Sequence, residues 1–236
     1  MRKTHTLAVL VVLAAAFSAA CSPPKYAQTK SVFGDFTVSA PWGWSVMTDG
    51  EGDAFSQVSF IGAFDRDFFL GAPSLSVRWY KRYRPHRLRD GRLEMYADVD
   101  DFFNQILKQV YGEKDCILYG PGRRADGGRV IIARPEELTL KGSGLKAKYF
   151  IVLSPTPAPD SNRWGLEQNR EGKSINMRMH GYALIPMEGG FYVLCYPATR
   201  RGYDKYEDRF RALIGTFRPL TAGPNGPKVR LAVPAS

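Results

Sequence analysis

The segment YKRYRPHRLRDGRL, residues 80–93, concentrates cationic side chains that could bind an anion. Its cations are Lys81, Arg82, Arg84, Arg87, Arg89 and Arg92. Only Asp90 opposes them, and guanidinium groups pair bidentately with phosphate and carboxylate groups. The segment is therefore a candidate site for an anionic lipid or glycan, provided that the cations converge in space. The alternative is a solvated loop at the end of a strand, and the sequence leaves both interpretations open.

Residue patterns that carry catalysis or bind metals do not occur in the sequence. The motifs H-E-x-x-H and G-x-S-x-G are absent, and Asp, Glu and His form no close cluster. His86 lies in the basic segment, and His180 begins a predicted strand. We therefore predict a protein that is not an enzyme and uses no metal and no cofactor.

The glycine-rich run GPGRRADGG, residues 120–128, invites comparison with a phosphate-binding loop. It lacks the Gly-Lys-Ser/Thr ending of such loops, and no helical pattern follows it. The chain continues instead into the apolar residues Val130, Ile131 and Ile132. We therefore predict a turn between two strands.

Cys21 stands where an apolar leader ends. Arg2 and Lys3 precede an apolar run at residues 7–17, and small residues follow it, which is the layout of a secretory signal. The sequence Ser18-Ala19-Ala20-Cys21 resembles the lipobox of bacterial lipoproteins. The resemblance implies that residues 1–20 are removed and that the Cys21 sulfur carries an acyl chain such as palmitate, which anchors the protein to a membrane of the cell envelope. Ser22 favours the outer membrane, facing the periplasm, in a Gram-negative host.

Cys116 and Cys195 are the other cysteines of the chain. An exported protein can form disulfides, so the two could pair. Each also lies in an apolar run, where a thiol serves as a small buried hydrophobe. Both interpretations stay open.

The charge balance is strongly basic. The chain has 33 Lys and Arg against 23 Asp and Glu, a formal net charge of +10. Such a surplus favours anionic partners such as phospholipid head groups, acidic glycans or an acidic protein. A location in the envelope excludes nucleic acid as a partner.

Hydrophobic periodicity predicts a mixture of strands and two helices. Alternation of apolar and polar residues predicts strands at residues 36–40, 42–46, 58–60, 75–80, 116–119, 128–134, 146–153, 180–187 and 191–196. Apolar residues at steps of three and four predict helices at residues 99–110 and 203–217. Asp98 is placed to cap the first helix, and Gly112 to end it. Strands and helices in this order indicate an α+β fold with an antiparallel sheet flanked by helices.

The predicted domain organisation has a single folded unit between flexible ends. After the signal, residues 21–32 form a tether, residues 33–218 the α+β domain, and residues 219–236 a flexible tail rich in Gly and Pro. Residues 155–178 form a long polar insertion loop. Trp164 is its candidate interaction residue, because an exposed Trp can anchor a partner.

Both ends of the domain are similar to those of PsbP-like and Mog1-like domains. The similarity lies in FGDFTVSAPWGW at residues 33–44, in GFYVLCYPA at residues 190–198, and in YEDRF and IGTFR at residues 206–210 and 214–218. The resemblance implies an α/β/α sandwich that binds other proteins. We therefore expect a lipid-anchored interaction or assembly module with a protein partner in the envelope. The alternative is an envelope hydrolase or a small-ligand-binding lipoprotein whose site is assembled from residues distant in the sequence.

Overall fold

The computed structural model of the protein describes residues 25–87, 91–112, 116–158 and 163–220. The predicted signal, Cys21 and almost all of the predicted tail lie outside the described residues, as does Arg89. The strands are β1 (Tyr26–Lys30), β2 (Phe36–Pro41), β3 (Ser45–Glu51), β4 (Phe55–Ile61), β5 (Ser74–Lys81), β6 (His86–Arg87), β7 (Leu93–Glu94), β8 (Ile117–Arg123), β9 (Arg129–Ile131), β10 (Glu136–Thr139), β11 (Lys146–Pro157), β12 (Leu166–Gln168), β13 (Ser174–Met187), β14 (Gly190–Thr199) and β15 (Arg218–Pro219). The helices are α1 (Val99–Ile106), which continues into a π-helical turn (Leu107–Tyr111), and α2 (Arg200–Thr216).

Antiparallel pairing joins the strands into one large sheet. Over the described residues this sheet has ten strands in the order β3-β4-β5-β14-β13-β11-β8-β9, with β10 beside β11 and β12 beside β13. A second sheet of β1, β2 and β15 lies apart from it, and β6 pairs with β7 as a hairpin. The predicted α+β fold with an antiparallel sheet is therefore confirmed.

The large sheet carries one helix on each face. Along β5, Leu75 and Val77 point toward the layer that holds α2, whereas Tyr80 points toward α1. Gly181 of β13 lets α2 approach closely, because a Cβ there would lie 2.5 Å from the Tyr203 hydroxyl and 2.7 Å from the Phe210 ring. Neither helix of the described chain has the length and apolar character that a bilayer crossing requires.

Helix α1 begins and ends where the sequence predicts. The Asp98 side chain accepts hydrogen bonds from the backbone N–H groups of Asp100 and Asp101, which satisfies two donors at the helix start. Gly112 ends the π-helical turn with a φ of 64°. The helix packs aromatic rings onto the sheet, with Phe103 against Phe150 at 4.9 Å between centroids. It leaves the part of this face around Ser74, Ser76 and Arg78 uncovered, where these residues line a cavity.

Two of the predicted domain boundaries are wrong. The tether at residues 21–32 includes β1, which pairs with β2 from Tyr26 opposite Pro41 to Lys30 opposite Thr37. The insertion loop at residues 155–178 is largely sheet, since β11 runs to Pro157, β12 lies within it and β13 begins at Ser174. β1 and β12 are short and partly exposed, so they lack the apolar alternation that identifies a strand.

The disulfide that Cys116 and Cys195 could form is not present: within the described residues, both side chains are thiols. Cys195 lies in β14, and Cys116 directly precedes β8, three strands away in the order β14-β13-β11-β8. Three strand spacings amount to about 14 Å, whereas a disulfide requires Cα atoms within about 7 Å. Burial raises the pKa of the Cys195 thiol, so it remains protonated.

Candidate functional site

The basic segment forms an exposed hairpin rather than a cavity. Lys81 pairs with Asp53, and Arg84 Nη2 lies 3.8 Å from Asp53 Oδ1. Arg87, in β6, donates from Nη1 to the Gly91 carbonyl at 3.2 Å. The side chain of Arg82 is exposed, and Arg92 directly precedes β7. The described cations are therefore spread along a hairpin, and none of them lines the two cavities described below.

His86 belongs to the core and not to the surface of this hairpin. It is 1% exposed, and its ring stacks on Phe55 with 4.7 Å between centroids. Its Nε2 lies 3.6 Å from Glu94 Oε2. Burial favours the protonated form of Glu94, but the neighbouring His86 and Tyr96 side chains outweigh it and lower the pKa of this carboxyl. The pair therefore stabilises the hairpin from inside.

The glycine-rich run is the predicted turn between strands β8 and β9. Arg124 N–H donates to the Gly128 carbonyl at 2.7 Å across it. The arginines beside the turn bind the protein's own helix: Arg123 Nη2 lies 2.6 Å and Arg129 Nη2 2.8 Å from Glu207 Oε2. Burial opposes ionisation of Glu207, but its hydrogen bonds with arginines lower its pKa to about 2. This cluster holds α2 against the β8–β9 hairpin.

Two adjoining cavities lie on the half of the sheet face that α1 leaves uncovered. The first has a volume of about 520 Å³ and is lined by polar residues of β3, β4 and β5 together with apolar residues such as Met47 and Ile61; we call it the polar lobe. The second, of about 310 Å³, is lined mainly by apolar groups and is called the apolar lobe. Four residues line both lobes: Leu70, Ala72, Ser74 and Pro197. The lobes therefore form one continuous groove.

The loop between β4 and β5 forms the outer wall of the groove. Leu70, on this loop, is 81% exposed although it borders both lobes. Phe64 on the same loop contacts Trp164 edge to face, with 5.1 Å between ring centroids. Trp164 therefore packs back on this loop, and the side chain remains 42% exposed. Its predicted role as an anchor for a partner stays a prediction.

Arg78 lies in the polar lobe, on the groove face of β5. Its Nε is buried and has no hydrogen-bond partner, and over the described residues no ion pair joins it to a carboxylate. Ser76 lies on the same face and is 4% exposed, and its hydroxyl is likewise buried without a partner. Buried polar groups are nearly always hydrogen-bonded, so two neighbouring exceptions in one cavity indicate a place where a ligand can bind.

Arg178 borders the apolar lobe but is already engaged. Its Nε donates to Thr156 Oγ1 at 2.6 Å, and its Nη2 donates to the Val110 carbonyl at 2.9 Å. The guanidinium also lies 5.2 Å from the centroid of the Tyr111 ring. Arg178 therefore fastens the π-helical turn to the sheet, whereas the Nε of Arg78, whose guanidinium also lies near Tyr80, is buried without a partner.

His180 lies at the same end of the groove and stays neutral. Its Nδ1 is 2.6 Å from the Tyr111 hydroxyl, which is 2.5 Å from the Tyr182 hydroxyl. Burial lowers the pKa of His180 to about 3, and the charges of Arg178 and Arg78 act in the same direction. A histidine with this pKa is too weak a base to activate a nucleophile near neutral pH.

The sequence singled out His180 but not Arg78, Ser76 or Leu70. It placed Ser76 and Arg78 on one face of the strand, which the structure confirms. Arg78 itself could have indicated the site from the sequence. A cation in the middle of a strand within the sheet needs a counter-charge or a ligand. The described part of the chain contains no group of three or more His, Cys, Asp or Glu side chains that could hold a metal ion.

Comparison with known proteins adds little to this geometry. No protein-family model and no curated protein matches the chain. Among solved structures, it is similar to the solution structure of the cyanobacterial PsbP, CyanoP, of Synechocystis sp. PCC 6803, with a TM-score of 0.44 and 12% sequence identity over 85% of this chain and 95% of that one. A likeness at this TM-score and identity carries no conclusion about function.

Proposed function

We propose that the protein is a lipid-anchored binding protein of the cell envelope, which holds an anionic ligand in the groove without transforming it. The observation that carries the proposal is Arg78, whose buried Nε lacks a hydrogen-bond partner beside the unpartnered hydroxyl of Ser76. This is the small-ligand-binding alternative of the sequence, with a site assembled from distant residues.

The energetics of Arg78 support an anionic ligand. Arg78 is half-buried with a buried Nε, and a charge held away from water without a nearby opposite charge is destabilising. Glu94 lies within electrostatic range of Arg78, but over the described residues the two side chains form no ion pair. An anion in the polar lobe would compensate the charge and accept charge-assisted hydrogen bonds from Arg78 and Ser76.

The protonation states near the groove favour binding over catalysis. His180 is neutral with a pKa of about 3, so it neither donates nor accepts a proton in the physiological range. The Cys195 thiol is buried and protonated, which makes it a poor nucleophile. The Tyr111 and Tyr182 hydroxyls also have raised pKa values because of burial.

We further propose that the protein is anchored to a membrane and contacts other envelope components. An acylated Cys21 would anchor the domain to an envelope membrane, the outer membrane in a Gram-negative host. The exposed basic hairpin then faces an environment of anionic lipid and glycan, and the rim residues Phe64, Leu70 and Trp164 offer apolar surface to a protein partner.

Titration with anilinonaphthalenesulfonate, a fluorescent anion with apolar rings, tests whether Arg78 binds anions. Arg78→Met should weaken binding of this probe at least about tenfold, because a charge-assisted hydrogen bond is lost. The melting temperature without probe should stay the same or rise, since an uncompensated buried charge is removed.

Arg170→Met is the matched control, because it removes the same charge from an exposed turn outside the groove. Its probe affinity should equal that of the wild type. Equal affinities for the wild type and Arg78→Met would reject the binding site.

A further inference from the structure

We infer that the ligand of the groove is an amphipathic anion: a phosphate or carboxylate head bound by Arg78 and Ser76 in the polar lobe, joined to a hydrocarbon chain that lies beneath Leu70 in the apolar lobe. The inference rests on the proposed function and adds the chemical class of the ligand.

Hydrogen-bond donors define the head position. Gln57 Nε2 donates to Ser59 Oγ at 2.8 Å, so the proton of the Ser59 hydroxyl is left to donate elsewhere. Ser59, Ser76 and Arg78 all line the polar lobe, and each can donate to an oxyanion. Asp49 also lines this lobe, from β3 at its far side, and its Oδ1 accepts the Gly50 N–H at 2.9 Å. The anionic head is therefore expected against β5, away from Asp49.

The residues that line the apolar lobe indicate that the other part of the ligand is a hydrocarbon chain. The apolar walls of this lobe come from Phe69, Leu70, Ala72, Pro157, Pro197 and Ala198. Its polar lining includes His180, which is neutral, Arg178, which donates to Thr156 and to the Val110 carbonyl, and Asn176, whose Oδ1 is buried without a hydrogen-bond partner. A hydrocarbon chain in this lobe would exclude water from its apolar walls.

The exposure of Leu70 links the two lobes to one ligand. A leucine that is 81% exposed beside a cavity gains stabilisation when a ligand covers it. Leu70 and Pro197 line both lobes, so a hydrocarbon chain attached to a head at Arg78 would run past these two residues into the apolar lobe. The apolar rim continues outward through Phe64, which is 66% exposed, and Trp164.

A series of alkyl phosphates tests the inference, with each compound below its critical micelle concentration. Competition against anilinonaphthalenesulfonate by butyl, octyl and dodecyl phosphate should show an affinity that rises about fourfold for each methylene that becomes buried. The rise should stop once the chain is longer than the cavity. Dodecanol and dodecyltrimethylammonium should bind much more weakly, because they lack the anion.

Dodecanoate and dodecyl phosphate distinguish two sources of the same chemistry. Tighter binding of dodecanoate would indicate a fatty acid, and tighter binding of dodecyl phosphate would indicate a phospholipid-like head. Either result supports an amphipathic anion. Failure of both to displace the probe would overturn the inference.

Leu70→Ser tests whether the hydrocarbon chain of the ligand contacts Leu70. The variant should fold normally, since this side chain is exposed. It should reduce the affinity for dodecyl phosphate several-fold and leave that for butyl phosphate unchanged. Ile131→Ser is the matched control, because Ile131 is 67% exposed on β9 and lines neither lobe. An equal affinity of all three phosphates, with binding of the fluorescent probe still dependent on Arg78, would reject the chain and leave the anion site intact. Binding that is independent of Arg78 would reject both.

Discussion

His180 is a titratable group that the folded protein keeps uncharged. Its imidazole contacts the Tyr111 hydroxyl, and Arg178 and Arg78 add positive potential around it. A proton on His180 would place a third positive charge beside two guanidinium groups. The residue therefore couples the stability of the fold to pH, although it does no chemistry near neutrality.

Acidification should reveal this coupling. The pKa of His180 is about 3 in the folded protein against 6.5 for an unperturbed histidine. Below 6.5 the unfolded chain binds a proton that the folded protein does not bind until about pH 3, so the free energy of unfolding falls as pH is lowered through this interval. The slope from this one group is up to about 1.4 kcal/mol per pH unit.

His180→Gln removes the titrating group and keeps an amide that can bond to Tyr111. Urea unfolding at a series of pH values should give a flatter profile for this variant than for the wild type. Parallel profiles would show that His180 is protonated to the same extent in the folded and unfolded states.

The face of β5 on which each side chain lies was easier to predict than what covers that face. The alternation along β5 placed Leu75 and Val77 on one face and Arg78 on the other, because a strand has a period of two. The sequence contains no information on how far α1 extends across that face, which depends on tertiary packing. The groove was therefore missed although its residues were assigned to the correct side.

At the scale of elements, a cluster of charges joins α2 to the β8–β9 hairpin. Glu207 has a side chain that is 9% exposed and accepts hydrogen bonds from Arg123, Arg129 and Arg211. Arg129 is also buried, with 8% of its side chain exposed, and its guanidinium lies 4.7 Å from the Tyr203 ring centroid. Removing the negative charge would leave the buried Arg129 with Asp204 as its remaining carboxylate partner.

Glu207→Gln should lower the free energy of unfolding by about 3 to 5 kcal/mol, the usual cost of breaking a buried ion pair from one side. Denaturant unfolding measures the change. Asp208→Asn, on the next residue of the same helix, removes a carboxylate that is 54% exposed and pairs with Lys25 at the surface, so it should have little effect. Equal losses in the two variants would show that burial of the cluster adds nothing.

Element prediction succeeded where one face of an element is apolar. Helices α1 and α2 and the central strands β5, β13 and β14 were found because each presents a periodic apolar face to the core. The strands β1 and β12 were missed because they are short and partly exposed, with side chains that resemble those of a tether or loop. Pairing with a neighbouring strand, which a single sequence does not record, makes them part of the sheet.

At the scale of the whole molecule, the position of β1 determines how the domain would sit on a membrane. The strand begins at Tyr26, and the Trp42 N–H donates to the Lys25 carbonyl at 3.1 Å. The four residues from 22 to 25 span at most about 14 Å when fully extended. An acylated Cys21 would therefore hold the end of the domain near Trp42, which is 55% exposed, close to the bilayer.

Cys21→Ala tests the anchor in the full chain. The wild type should fractionate with membranes and have a mature mass that includes acyl chains, because several buried chains hold a protein durably. The variant should leave the membrane fraction. Equal membrane association of both proteins, with no acyl chains on the wild type, would contradict the lipoprotein assignment.

The most direct test of the central claim is the NMR resonance of the Arg78 Nε–H during titration with dodecyl phosphate. This proton is buried and has no acceptor in the protein, so a bound phosphate should shift its resonance strongly and saturably as a hydrogen bond forms. The Nε–H of Arg170, on an exposed turn, should change little. A saturable shift at Arg78 alone would support the anion site, and an unchanged Arg78 resonance at saturating ligand would contradict it.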